Sequence, residues 1–231
     1  VVPELIARLR RRYPGVHVIV RTGRSRAILD LVARGEAQLG LVHDLPDERV
    51  VAEPLYEEEL SLVARPDHPF AYEGWVTLER LREATLVLFD PSSTYYERTD
   101  ALLRAAGVVP HSRIEVDNIE VACRLVARGI GVALLPTTST AESIAAGALS
   151  AIGLAGVEPI RGRVVLVERP GAPDWEPLAH LRRLARAIPE SIPGARPVSD
   201  AAARPGPRRA AARRAPPPGS GPGSRRPART R

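Results

Sequence analysis

The sequence contains no lysine, no methionine and a single cysteine, Cys123. One thiol cannot close an intrachain disulfide, and such sparing use of cysteine fits a reducing compartment. With lysine absent, arginine carries the basic charge, a mark of base-biased coding rather than of a physical requirement. The missing methionine, position 1 included, is what a fragment or a processed chain would show. Aromatic residues make up only 4%, so a core has to be built from Val, Leu, Ile and Ala. No apolar run approaches the ~18 residues of a membrane-spanning helix, so no membrane partner is expected. The opening stretch VVPELIARLRRRYP mixes charge through its apolar positions and lacks the apolar segment of a secretory signal. These absences together point to a cytoplasmic chain.

Chemical motifs are just as scarce. The five histidines, at 17, 43, 68, 111 and 180, form no i,i+4 pair and stand at no metal-ligand spacing with a carboxylate. There is no Walker loop, no G-x-S-x-G and no G-x-G-x-x-G. Catalytic residues, a metal site and a cofactor are therefore not expected. Cys123 has no second thiol to resolve an oxidised form and reads as a buried, inert side chain.

What is present divides in two. Residues 194–231 hold 10 Arg and one Asp, net +9, so the full-chain charge of +6 leaves 6 − 9 = −3 on residues 1–193. The stretch 194–231 also carries eight Pro and five Gly, a composition expected to be disordered. It reads either as an arm for nucleic acid or another acidic surface, or as a solvated extension.

The body alternates between helical and strand-like segments. Helical spacing covers 2–13, 25–34, 77–83, 94–106, 118–128, 137–146 and 174–188. Strand-like runs are VHVIV (16–20), AQLGLV (37–42), two within 50–65, TLVLF (85–89), RIEVD (113–117), 131–135, LSAIGL (149–154) and GRVVLVER (162–169). Such alternation predicts an α/β fold with parallel sheets. The pentad Leu-Val-Ala-Arg-Gly occurs at 31–35 and again at 125–129, each time between a helical run and an apolar strand. The two stretches read as matching helix-to-strand corners of two similar halves, with the glycine making the turn.

PELIARLRRRYPGVHVIVRTG, LDLVARGEAQLGLV, EPLYEEELSLVARPDHPFA, LRAAGVVPHSRIEVDNIEVACRLVARGIGVALLP and GALSAIGL…GRVVLVERP follow one another at set spacings. In that order the chain resembles the effector-binding domain of the LysR-type transcriptional regulators over nearly all of 1–190. The resemblance implies a type 2 periplasmic-binding-protein-like fold: two Rossmann-like subdomains joined by two crossing hinge segments. Subdomain I would take 1–65 with 162–193, and subdomain II 66–161. It implies a small, anionic effector in the cleft between them, control of transcription, and self-association as a dimer or tetramer through 25–42 and 117–135. Family members carry a first strand and loop, a linker and a winged helix-turn-helix ahead of the point where this sequence begins. DNA contact is thus expected only through a helix-turn-helix that this chain lacks. A solute-binding protein or an enzyme on the same fold, and nucleic-acid binding through the basic tail, are the alternatives.

In such sheets ligands sit beyond the carboxyl ends of strands, where helix N-termini favour anions. Four corners qualify. Gly23 and Arg24 precede Ser25, which can cap the next helix. His43 follows an apolar strand. Ser92, Ser93 and Thr94 open a helix with three hydroxyls. Asp117 and Asn118 open another, Asn118 being a suitable cap. Thr137 and Thr138 begin a further helix and read first as caps, with Thr137 kept as an effector candidate. Ala64 and Arg65, and Arg161 and Gly162, are the expected hinges.

Overall fold

The structure is a computed structural model that describes residues 1–198 apart from 92 and 173. Ser92, and the expected tail from 199 onward, lie outside the described residues. The elements run in the order α1 (Val2–Arg12), α2 (Ser25–Ala33), β1 (Gly40–His43), β2 (Val51–Ala64), α3 (Pro69–Glu73), β3 (Trp75–Thr77), a 3-10 turn (Leu78–Glu83), β4 (Thr85–Phe89), α4 (Thr94–Ala105), β5 (Ser112–Val116), α5 (Ile119–Ala127), β6 (Val132–Pro136), α6 (Thr137–Ala145), β7 (Ser150–Ala155), β8 (Ile160–Glu168), α7 (Glu176–Arg186) and α8 (Ile188–Ser191).

One mixed sheet threads the molecule in the order β1-β8-β2-β6-β4-β5, with β7 joining β2 to β3. Its backbone is β2, a single strand of 14 residues where the sequence suggests two. A register shift between Pro54 and Tyr56 breaks the alternation that would otherwise mark one long strand. Over Val51–Leu60 it pairs with β8, and over Leu60–Ala64 it pairs with β6 and β7. Leu60 is therefore the residue at which β2 changes neighbours.

The parallel expectation holds for β4 with β5 and β6. It fails along β2, which runs antiparallel to β6 and β7, and around β8, which runs antiparallel to both β1 and β2. The strand returning near the C-terminal end of the body slots between two strands of like direction, so both of its ladders are antiparallel. The second correction concerns 16–20. Residues 16–20 form no strand, and Ile19 and Val20 are exposed. β-Branched residues favour a strand only where a neighbour supplies the ladder. Here β1 pairs with β8 alone, and no other described strand lies along its outer edge.

Buried side chains form four clusters on the two sides of this frame. Leu5, Leu55, Tyr56, Val164, Leu166, Ala185 and Ile188 join α1 and α7 to the β2/β8 pair. Leu29, Val32, Val42, Val165 and Val167 seat α2 on the opposite face. Around the other end of β2, Leu62, Val76, Leu81, Leu86, Val132 and Ile152 make one cluster, and Val63, Val87, Cys123, Val126, Ala133 and Leu135 seat α5 in another. The alternation Leu62 to one face and Val63 to the other follows from the strand period of two.

The repeated pentad occupies matching corners. Gly35 and Gly129 sit at φ 76 and 73, past the last turns of α2 and α5, where any side chain would be strained. A second matched pair of stretches gains its meaning from the structure. Leu-Val-Ala-Arg-Pro at 62–66 and Leu-Val-Glu-Arg-Pro at 166–170 close β2 and β8. The Arg65 guanidinium lies over Gly129 and that of Arg169 over Gly35. Each long strand thus ends by laying an arginine on the corner of the helix packed beside it.

The sharpest steric limit is at Gly131, where an added Cβ would stand 2.2 Å from the Thr85 carbonyl oxygen. Gly131→Ala is expected to cost about 3 kcal/mol, because backbone cannot move aside cheaply in a packed sheet. Gly15→Ala, with nothing within 4 Å of the new methyl, should change stability by less than about 1 kcal/mol. Urea denaturation of the two variants checks the contrast.

Candidate functional site

The middle of β2 carries Tyr-Glu-Glu-Glu-Leu at 56–60. Glu57 and Glu59 face outward to arginines: Glu57 meets Arg163 at 3.6 Å, and Glu59 meets Arg161 at 3.1 Å and Arg196 at 2.9 Å. Glu58 points the other way and is 3% exposed. Its Oε1 accepts a 2.7 Å hydrogen bond from the Tyr95 hydroxyl of α4, and its Oε2 accepts one from the Thr138 hydroxyl of α6. His43, at the end of β1, places Nε2 3.7 Å from Oε1 and packs edge-on against the Tyr95 ring at 4.5 Å. One carboxylate thus gathers side chains from β1, α4 and α6.

This arrangement sets the protonation states nearby. Burial holds His43 below the usual imidazole value, the Glu58 charge pulls it back up, and the Arg98 charge lowers it again. Burial, then the charge of Glu58 and the hydrogen bond to it, push the Tyr95 phenol well above its usual range. Tyr56 is raised by burial and then by Glu58.

Around this centre the two sets of clusters are laced together. The Arg24 guanidinium reaches Asp90, at the end of β4, at 2.8 Å. Arg98 of α4 donates to the Arg161 carbonyl on β8. Ser25 accepts from the backbone N–H of His43 at 3.1 Å.

The expected site residues separate into groups. His43 lies in the cluster, and Arg24 in the bridge beside it. Gly23 is exposed just before α2. Arg24, not Ser25, is the N-cap of α2 and makes no side-chain cap bond, because the Ser25 hydroxyl serves the backbone of His43 instead. Ser93 caps α4 by accepting from Tyr95 N–H, with Thr94 as the first helical residue. Asn118 caps α5, accepting from the N–H groups of Glu120 and Val121, while Asp117 stands exposed next to it. Thr137 donates to the Gly194 carbonyl, and Thr138, read first as a cap, is the residue that meets Glu58. Of the hinge residues, Ala64 and Arg65 stand at the far end of β2, whereas Arg161 and Gly162 pair with Glu59 and Glu58 at mid-strand.

Glu58, Tyr95 and Thr138 are the cluster members that sequence reasoning passed over. A signal was present for one of them: the alternation Tyr56, Glu58, Leu60, Leu62 puts a lone carboxylate on an otherwise apolar face. The hydroxyls carry no such mark. The start of the expected tail is also docked, with Arg196 exchanging backbone hydrogen bonds with Glu57. Among the described residues no cluster of His, Cys, Asp and Glu could hold a metal ion, and no helix is long and apolar enough to cross a membrane.

The strand order and its helices are those of a type 2 periplasmic-binding-protein-like fold. The sequence profile described as LysR substrate binding domain matches residues 1–188. The chain belongs to the LysR substrate-binding-domain family, a regulatory family rather than an enzymatic one. It is 27% identical over 156 residues to the RuBisCO operon transcriptional regulator of Acidithiobacillus ferrooxidans, covering 67% of this chain and 50% of that protein. The chain spans about half the length of the curated relatives it matches. Among solved structures, the CcmR regulatory domain of Synechocystis PCC6803 in complex with 2-PG superposes with a TM-score of 0.70 at 20% identity, covering 81% of this chain and 90% of that one. The effector binding domain of QuiR in complex with shikimate gives 0.65 at 17%, covering 81% and 89%.

Two measurements follow from the buried groups. Burial depresses both His43 and His68, so the unfolded chain binds more protons than the folded one as pH drops below about 6.5. Stability is complete above that value and declines beneath it. Melting temperature should fall between about pH 7 and 5.5, and His43→Gln should flatten part of the fall; an unchanged slope in that variant would contradict the assignment. Burial and then the Glu120 charge raise the Cys123 thiol, which is 8% exposed. A thiol reagent at about pH 8.5 should label Cys123 no faster than the chain opens.

Proposed function

We propose that this chain is the ligand-sensing domain of a LysR-type transcriptional regulator, acting in the cytoplasm. A small effector with an anionic group binds in the cleft between two lobes, one built on the β1, β8 and first half of β2 end of the sheet and the other on the β6, β4 and β5 end. The observation that carries this reading is the buried Glu58 carboxylate, shared by side chains from β1, α4 and α6 where the crossing strands β2 and β8 lie side by side. The helices α2, α4, α5 and α6 all begin at the carboxyl ends of strands or in the loops beside them, where their free N–H groups favour an anion. Relatives of the same fold have been solved with 2-PG and with shikimate, which supports a small, acid-bearing ligand. Arg24, His43, Ser93, Thr94, Asp117, Asn118 and Thr137 are the proposed contacts, and Gly23 shapes the approach to Arg24.

The hinge is better assigned to Glu57–Leu60 and 160–163 than to Ala64 and Arg65, because β2 changes partners at Leu60. Ligand binding then shifts a balance between closed and open lobes. Self-association through α2 and α5 is part of this reading, supported by Val121 and Ile130, which stand exposed on and just after α5. DNA contact belongs to the helix-turn-helix of full-length regulators.

Thermal melts of the full chain against carboxylates, aromatic acids, amino acids and inorganic anions test the proposal. One chemical class should raise the melting temperature, by the equivalent of about 2.7 kcal/mol at a hundredfold excess over Kd. Thr94→Ala should shrink the rise. A melt that no class of compound moves would overturn the effector role.

A further inference from the structure

The donors around Glu58 have one property in common. Tyr95 and Thr138 offer neutral hydroxyls, and the imidazole of His43 stands beyond hydrogen-bond distance at 3.7 Å. A buried carboxylate is best satisfied by a cation that brings both charge and N–H donors. The outward carboxylates of the same strand have such partners: Glu57 meets Arg163 and Glu59 meets both Arg161 and Arg196. Glu58 alone of the three faces the helix N-termini and is held by hydroxyls. Both hydroxyl donors, moreover, sit in the first turns of helices, Tyr95 in α4 and Thr138 in α6. The groups that occupy the carboxylate are therefore carried by the same two helix starts that would receive an anion.

A purely anionic ligand entering there would bring a second negative charge beside Glu58. A ligand hydroxyl would replace a protein hydroxyl like for like and leave the charge as it is. An ammonium group would add the positive charge and take up both carboxylate oxygens, while a carboxylate on the same molecule faced the helix N-termini.

Resting on the reading of the cleft as the effector site, we propose that the effector is a zwitterion of the amino-acid type, with Glu58 selecting its ammonium group. Opening of the cleft would release Tyr95 and Thr138 from Glu58, and the ligand nitrogen would take their place. Glu58 is then the specificity-determining residue, and the anionic end of the ligand is read separately by the helix starts.

Calorimetric titration of the full chain with glycine, L-serine and L-glutamate, each against its hydroxy-acid and des-amino counterpart, decides the matter. At least one amino acid should bind about tenfold or more tightly than its two counterparts, the scale of a charge-assisted hydrogen bond to a carboxylate. Glu58→Gln, which keeps the shape and removes the charge, should cost the amino acid a similar factor and leave the counterparts within about threefold. Melting of the ligand-free variant shows that it is folded, and the wild-type comparison stands without it. Tighter binding of the hydroxy acid or des-amino acid, or full amino-acid affinity in Glu58→Gln, overturns the zwitterion while retaining the cleft as an acid-binding site. Binding of no compound in any of the three series overturns the zwitterion, and the acid-binding reading of the cleft then falls only if the melts move with no class of compound.

Discussion

One buried carboxylate joins the long central strand to three other elements. Glu58 sits on the strand that runs through both halves, and the residues it holds come from β1, α4 and α6. Placing an ionisable group in a packed interior is costly unless its oxygens are satisfied. The pairing with Tyr95 and Thr138 offsets that cost only while the two halves are together. Separating them would return those hydroxyls to solvent and leave the carboxylate to find water or a ligand. The same interaction therefore holds α4 and α6 against β2 and, in the reading proposed above, offers the group that a ligand captures.

The surrounding architecture makes this possible. β2 and β8 lie antiparallel over nine registered pairs, giving the molecule a continuous spine across which bending can be confined to a few residues. At their ends the two strands repeat a device: an arginine followed by proline, laid over the left-handed glycine of a neighbouring helix corner. Those corners belong to the rigid parts, since Val32 and Val126, one turn before each glycine, are fully buried. In the proposed reading, movement is left to the contacts that link the two ends of the sheet: the Glu58 cluster, the Arg24–Asp90 pair and the Arg98 contact to β8.

Much of the fold was readable from the residues. The helices from α4 to α6, the strands between them and the matched pentads follow from apolar periodicity and from glycine placement, which are local signals. What misled was non-local. VHVIV at 16–20 has strand composition but no neighbour to pair with, and β8 enters the sheet between strands distant in sequence, reversing the expected direction. The site divided along the same line. His43, Arg24 and the caps Ser93 and Asn118 lie at helix starts and strand ends, where sequence logic points. Glu58 was hidden in a run of three glutamates whose alternation is the clue, and the roles of Tyr95 and Thr138 arise only from their meeting across 37 and 80 positions of chain.

The most direct test of this account is the coupling between Glu58 and the helix that meets it. A double-mutant cycle of Glu58→Gln and Tyr95→Phe, read by urea denaturation of the ligand-free chain, isolates the term that belongs to the pair. The account predicts non-additivity of about 1 kcal/mol or more, with the double variant less destabilised than the two single losses sum to. Losses that add to within about 0.3 kcal/mol would mean that the two residues do not act together, and α4 would have to be held against β2 by something other than the buried carboxylate.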